Sequence, residues 1–340
     1  MIKIDMFQHI LPIKHKERLQ KKVKDCFHMR IIEPHPALFD LETRFRVMDS
    51  HEGLRQVLTL AHPALEDVLG PSDAVTLAKS VNDEMAELVL KYPDRFAAAV
   101  ASLPLNDMDA ALDEADRAIR DLNFKGVQIY TPANRKPLDS PEFMPLYEKM
   151  QEYDLPIWIH PQRDDTQPDY EGERESLYGL FAIFGWPYET TLAMARLAMS
   201  GILEKFPNIK FITHHCGAMV PYFAQRFAWA GLSIKTNSTG RAAPGTEAVS
   251  SEYTPPPLGY LRKFYSDTVL QGNIAALMCG YDFFGPDHLV FATDYPFGGK
   301  RAVERLGREI EAIEKMEIPP DDKDKIYRRN AERLLRISVS

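Results

Sequence analysis

The sequence predicts an α/β fold, a (β/α)8 barrel with an insertion after the first strand and helices at the C-terminus, on three observations. Eight short runs rich in β-branched and aromatic residues recur along the chain, which is the count a closed barrel needs. Helical stretches separate them, and strand–helix alternation favours parallel βαβ units. The length of 340 residues suits a barrel of about 250 residues plus insertions. With no break in composition, residues 1–340 are expected to form one domain.

The eight runs are residues 2–7 (IKIDMF), 55–60 (RQVLTL), 96–103 (FAAAVASL), 125–130 (KGVQIY), 156–160 (PIWIH), 210–215 (KFITHH), 264–269 (FYSDTV) and 288–294 (HLVFATD). Each is short enough to be a buried strand. Between them, residues 72–91 repeat Val75, Leu77, Ala78, Val81, Met85, Leu88 and Val89 at helical spacing. Residues 106–121 open on Asn106 as an N-cap and repeat Ala110, Leu112, Ala115, Ala118 and Ile119. Further helices are expected over 140–152, 187–205, 218–231, 273–280, 301–315 and 322–336. Two stretches read as long loops of the lid or binding type: the acidic 162–180 and the Gly- and Pro-containing 235–257.

Composition narrows the function. A formal net charge of −8 argues against a nucleic-acid surface, which would show a clustered basic stripe. The basic group near the N-terminus (Lys14, Lys16, Arg18, Lys21, Lys22, Lys24) reads as a solvated helix face. Three cysteines, Cys26, Cys216 and Cys279, without a close pair suit a reducing compartment. The opening MIKIDMFQHILP lacks the uninterrupted apolar stretch of a signal peptide, and no run is long enough to span a bilayer. A cytoplasmic protein with no membrane partner is expected.

The histidines and carboxylates carry the chemical signal. His9, His160, His215 and Asp294 fall at or just beyond the ends of the first, fifth, sixth and eighth runs. In a barrel those ends share one rim, where active sites are built. Four metal- or proton-competent side chains in that position point to a single site. His214 precedes His215 and should face the other way, so it is expected to be structural.

KIDMFQHILP at the start, IHP at 159–161, HHCGAMVP at 214–221 and ATDYPF at 292–297 resemble the amidohydrolase superfamily. More narrowly they resemble its branch of aminocarboxymuconate-semialdehyde decarboxylase and the resorcylate and carboxyvanillate decarboxylases. RFRVMD (44–49), YPDRF (92–96) and SGILEKFPNIKF (200–211) extend the likeness nearly end to end. The resemblance implies that His9, His160 and Asp294 hold a metal, Zn²⁺ or Mn²⁺, and that His215 is the catalytic base. Asp294 in such enzymes both touches the metal and delivers a proton to the ring carbon, which requires a raised pKa.

One departure is plain. Relatives end the first strand in His-x-His or Glu-x-His, whereas this chain has Phe7-Gln8-His9. Alternation puts Phe7 and His9 on one face, Gln8 on the other, and Asp5 on the face of His9 but deeper. Three ligands can still hold a divalent ion with open positions; alternatively the metal is lost and Phe7 packs against a substrate ring. For an acidic substrate the resemblance offers Arg30, in the insertion after the first strand, and Arg226, which relatives present to a neighbouring subunit. Phe181, Phe184, Trp186 and Tyr188 form an aromatic group from which Phe181 and Trp186 are expected to wall the pocket.

The leading expectation is a non-oxidative carboxy-lyase for an aromatic or muconate-type carboxylic acid, assembled as a homodimer or higher homo-oligomer. The alternatives are a hydrolase, lactonase or hydratase of the same superfamily, and a catalytically inactive binding protein on the same barrel.

Overall fold

All eight runs form strands in the computed structural model, which describes residues 1–23, 27–237 and 257–339. The strands are β1 (Lys3–Ile10), β2 (Leu54–Leu60), β3 (Phe96–Ala99), β4 (Ala101–Ser102), β5 (Val127–Thr131), β6 (Ile157–Pro161), β7 (Phe211–Thr213), β8 (Tyr265–Asp267) and β9 (Leu289–Val290). β3 and β4 are one strand interrupted at Val100, so the nine segments make eight staves. Every neighbouring pair is parallel, in the order β1-β2-β3 and β4 through β9. Val100 N to Leu58 O bridges the interruption. Met6 N to Phe291 O and His9 N to Tyr295 O join the first strand to the last, closing the ring.

Alternation sorts the side chains into two apolar layers. Val57, Ala98, Val100, Trp158, Ile212, Val290 and Ala292 share a buried group inside the barrel. Leu58, Phe96, Val127, Ile129, Ile157, Phe211, Leu289 and Phe291 belong to the larger core under the helices. Trp158 is fully buried, with its indole N–H satisfied by Met6 O at 2.8 Å. Ala331, Leu334 and Leu335 join the inner group beside Ile2 and Ala97, plugging the end where strands begin.

The helices that matter for the site follow strand ends. In chain order they are α1 (Ile13–Lys22), α2 (Phe27–Ile32), α3 (Leu41–Asp49), α4 (Leu65–Val68), α5 (Pro71–Lys91), α6 (Met108–Arg120), α7 (Met144–Tyr153), α8 (Trp186–Met199), α9 (Ile202–Lys205), α10 (Val220–Asn237), α11 (Pro257–Leu261), α12 (Ile274–Phe284) and α13 (Ala302–Lys315). The first three segments form the insertion between β1 and β2. α1 carries the basic run and pairs Arg18 with Glu84 and Lys22 with Asp73 on α5. α6 starts one residue later than expected: Asp107, not Asn106, accepts the Ala110 N–H, while the Asn106 amide donates to Leu69 O.

The acidic loop 162–180 folds onto itself, with Asp169 accepting from Ser176 and Leu177. Most of the second expected loop, 238–256, lies outside the described residues, as do Lys24 and Cys26. Cys216 and Cys279 are free thiols. Among the described residues no helix is long and apolar enough to cross a membrane.

Candidate active site

The strand ends bring His9, His160, His214 and Asp294 together at one rim. On β6, Trp158 faces inward, so alternation also turns His160 inward. On β7 the inward residue is Ile212, so the next inward position is 214 rather than 215. His214 is therefore not a structural residue facing away: it lines the site. The chain then leaves the strand through His215 and Cys216, both at positive φ (57° and 54°), which swings the His215 ring to 4.0 Å from that of His214. Asp294 also sits at positive φ (57°), strain of the kind that collects at functional sites.

β1 reaches the site through an irregularity. Its pairing with β2 slips between Asp5 and Gln8, so Met6 and Phe7 both enter the inner group. His9 follows Phe7 on the inner side. Asp5 does not share the face of His9 as alternation suggested; the slip removes it. It accepts hydrogen bonds from Thr293 N (3.1 Å), Thr293 Oγ1 (2.6 Å) and the Gln8 amide. Behind His9, the buried Arg44 on α3 donates to the His9 carbonyl, to Ala37 O (3.0 Å) and to Gln56 Oε1 (2.8 Å).

Within the site, Asp294 Oδ1 is 3.1 Å from His9 Nε2 and 3.4 Å from His214 Nε2, and its other oxygen accepts from Arg305 at 2.6 Å. His160 Nδ1 is taken up by Pro161 O at 2.7 Å, leaving Nε2 for a ligand. His214 Nδ1 is hydrogen-bonded to the buried Asp267. Phe7 stacks on the His214 ring at 4.3 Å. His9, His160 and His214 each present one ligand atom, all within 4.8 Å of one another, and so do His214, His215 and Asp294.

Burial and charge set the protonation states. Burial holds the His9 imidazole below its usual range, and holds His160 and His215 well below it, so all three are neutral near pH 7. Burial also pushes His214 down, but Asp267 and then Asp294 outweigh it and lift the ring to about 9. Burial raises Asp294, yet the Arg305 guanidinium, His214 and His9 prevail and hold its carboxyl well below the carboxylate range. The raised pKa expected of a proton-delivering Asp294 is thus reversed, because Arg305 supplies a fixed positive charge.

Aromatic rings gather beside His160. Trp186 stacks on His62 at 5.6 Å, His62 lies 4.6 Å from His160, and Phe181 is 6.1 Å from Trp186. Phe181 meets Phe27 on α2 at 5.1 Å, and the exposed Arg30 guanidinium is 6.0 Å from the Phe27 ring centre. Arg30 therefore stands at the outer end of this wall. Phe184 and Tyr188 are exposed instead. Arg226 lies elsewhere: it is exposed on α10 and lines a shallow apolar recess with Thr191, Ala195, Phe223 and Leu261.

Sequence reasoning missed His62, Asp267, Arg305 and Arg44. His62-Pro63 after β2 repeats the His160-Pro161 pattern after β6, a signal that was readable. Asp267 ends the FYSD strand. Nothing local marks Arg305, eleven residues beyond Asp294 on α13.

A family model described as amidohydrolase matches residues 4–337. The gamma-resorcylate decarboxylase of Rhizobium sp. (strain MTP-10005) is 28% identical over 315 residues, covering 89% of each chain. Among solved structures, 5-carboxyvanillate decarboxylase from Sphingomonas paucimobilis superposes with a TM-score of 0.82 at 24% identity, over 99% of both chains. Dihydroxybenzoic acid decarboxylase from Polaromonas sp. JS666, solved with bound manganese and the inhibitor 2-nitroresorcinol, gives a TM-score of 0.76 at 24% identity. That superposition covers 100% of this chain and 98% of the other.

Proposed function

This chain belongs to the amidohydrolase family, and we propose that it is a carboxy-lyase removing CO₂ non-oxidatively from a hydroxybenzoate-type aromatic acid. The observation that carries this reading is that His9 meets both Asp294 (3.1 Å) and the His160 ring (5.0 Å) beside a neutral His215 at the rim, under an aromatic wall. The decarboxylase relatives and the aromatic inhibitor held by the Polaromonas enzyme support it.

The residues present fit a divalent metal. His9 Nε2 is buried and faces Asp294 Oδ1 at 3.1 Å, and Asp294 is held as a carboxylate beside it. His9, His160 and Asp294 would hold Zn²⁺ or Mn²⁺, which when bound supplies positive charge to the substrate's carboxylate and ring oxygens. The rest follows from the chain itself. Phe181 and Trp186, packed edge to face, wall and orient the ring, and Phe7 closes the floor. Arg30 at the outer end attracts the anion, a planar fork suited to a carboxylate.

Neutral His215 accepts the proton of a ring hydroxyl at its ring nitrogen, which pushes electron density onto the carbon bearing the carboxylate. The imidazolium then returns that proton to the same carbon. The carbon–carboxylate bond breaks, its electron pair restores the aromatic ring, and CO₂ leaves with the product as a phenolate. Asp294 stays ionised throughout and stabilises the transient imidazolium.

Incubating the purified protein with a panel of hydroxybenzoates should release CO₂ in a one-to-one ratio with the phenol. His215→Asn should lower kcat at least a hundredfold. Lactone opening without CO₂ release from any acid would overturn the reading in favour of hydrolysis. We also read the chain as a cytoplasmic homodimer or higher homo-oligomer in which α10 faces a second copy. Arg226 there is flanked by Tyr222 and Trp229, 80% and 75% exposed. Light scattering of a monomer at micromolar concentration would refute that assembly.

A further inference from the structure

The end of the barrel where strands begin carries a cavity of about 640 Å³, on the far side of the inner apolar layer from His9 and Asp294. That volume is within the range of small-molecule sites. Segments distant in sequence build it. The end of α5 gives Val89 and Leu90, the turn before β5 gives Leu122 and Lys125, and the C-terminal segment gives Arg336 and Val339. Arg55, one residue into β2, completes the wall. The C-terminal segment is tied in place. Arg336 ends its helix at φ 52°, and Ile337 N and Val339 N donate to Glu332 O and Glu332 Oε1, both at 3.1 Å. Ile337 and Val339 pack on the inner layer beside Ile2 and Ala97.

The charge of this cavity is opposite to that of the molecule. A chain of net charge −8 places Arg55, Lys125 and Arg336 on the lining against the carboxylate of Asp94. Asp94 is already engaged, 3.8 Å from Arg95, and Arg336 is paired with Asp154. Lys125 donates to Asn123 Oδ1 at 2.7 Å and Arg55 to Leu54 O at 3.4 Å; among the described residues neither has a carboxylate partner. Burial, together with the nearby Arg336, holds the Lys125 ammonium below its usual range. A concave wall of one sign concentrates ions of the other. Between the cations the wall is aliphatic: Val89, Leu122 and Val339 are half-buried, and Leu90 is left 81% exposed.

We propose that this cavity binds an amphipathic organic anion, a carboxylate on an aliphatic body of the medium-chain fatty-acid kind. The carboxylate takes the donors of Arg55 and Lys125 as charge-assisted hydrogen bonds, and the chain lies along Val89, Leu122 and Val339. Because the inner layer fills the barrel between its two ends, the anion does not compete with a substrate at the rim. The assignment is independent of the chemistry proposed there.

Titration calorimetry of the full-length protein with decanoate tests it, with decanol, butyrate and naphthoate as comparisons. Decanoate is expected to bind about tenfold or more tightly than decanol, which lacks the charge, and than butyrate, which lacks the body. Arg55→Gln combined with Lys125→Gln should weaken decanoate binding about tenfold or more without lowering the melting temperature. Raised salt should weaken wild-type binding. Leu90→Glu, at an exposed position, sets a carboxylate beside the cavity and should weaken it as well. Hydrogen exchange of residues 336–339 should slow with decanoate bound, which separates this cavity from the rim. Absence of decanoate binding at millimolar concentration would overturn the proposal. So would equal binding of decanol, or wild-type affinity in the protein carrying Arg55→Gln and Lys125→Gln. Naphthoate binding more tightly than decanoate would overturn the aliphatic class.

Discussion

Replacing Arg44 by Met tests whether the back of the site is held by one buried cation. Arg44 is fully buried, yet its guanidinium makes three short hydrogen bonds to acceptors on different elements, the His9 carbonyl on β1, Ala37 O in the insertion and Gln56 Oε1 on β2, with Gln8 Oε1 a longer fourth at 3.5 Å. Methionine fills nearly the same volume and donates nothing. Each acceptor left dry costs about 1–3 kcal/mol, so the three together set a gross loss of about 3–9 kcal/mol. Against this stands the cost of burying the charge in the wild type, which is evident in the guanidinium being pushed down to about 10 by burial. The expected net destabilisation is about 3–5 kcal/mol.

The assay is urea unfolding at pH 7, read as midpoint and slope, beside the initial rate of CO₂ release. Arg44→Lys keeps the charge but cannot span the three acceptors with a planar fork, and should recover less than half of the loss. Because the His9 carbonyl is one of the three, the rate of the folded Arg44→Met fraction should fall by about tenfold or more, of the order seen when a ligand's supporting partner is removed. An Arg44→Met protein within about 1 kcal/mol of wild type would refute the reasoning, since the acceptors would then have found other donors.

Two further outcomes follow from the same framework. Burial lifts Asp5 to about 8 in the fold, against an ordinary value near 3.8, so its proton-linked contribution to stability is complete below about pH 4 and is lost as pH rises through about 8. Asp5→Asn should therefore compare better with wild type at pH 8 than at pH 5, by up to about 1.4 kcal/mol per pH unit for one proton; an identical difference at both pH values in urea would sink this assignment. Gly126 has φ +152°, and a Cβ there would lie 2.3 Å from Pro156 O and 2.5 Å from the Trp158 ring. Gly126→Ala should cost about 2–4 kcal/mol, through strain and overpacking against the barrel floor, and an unchanged melting temperature would contradict that packing.

The barrel and the rim were legible because they depend on local pattern. Runs such as PIWIH and HLVFATD are apolar on both faces, as strands sandwiched between an inner core and a helical shell must be, and their ends mark where polar chemistry begins. The sequence by itself therefore determined the eight strands and the shared rim position of His9, His160 and Asp294. Which of two adjacent histidines turns inward was decided only by the tertiary structure. Pairing of β7 with β6 and β8 sets Ile212 inside, and the inward register then selects His214. The slip at Asp5–Gln8 that brings Met6 and Phe7 to the same side depends likewise on the neighbouring strand. Arg305, Asp267 and Arg44 reach the site from 11, 53 and 35 residues away from their partners Asp294, His214 and His9. Such pairings follow from where chain closure places distant segments, and short-range periodicity carries no record of it.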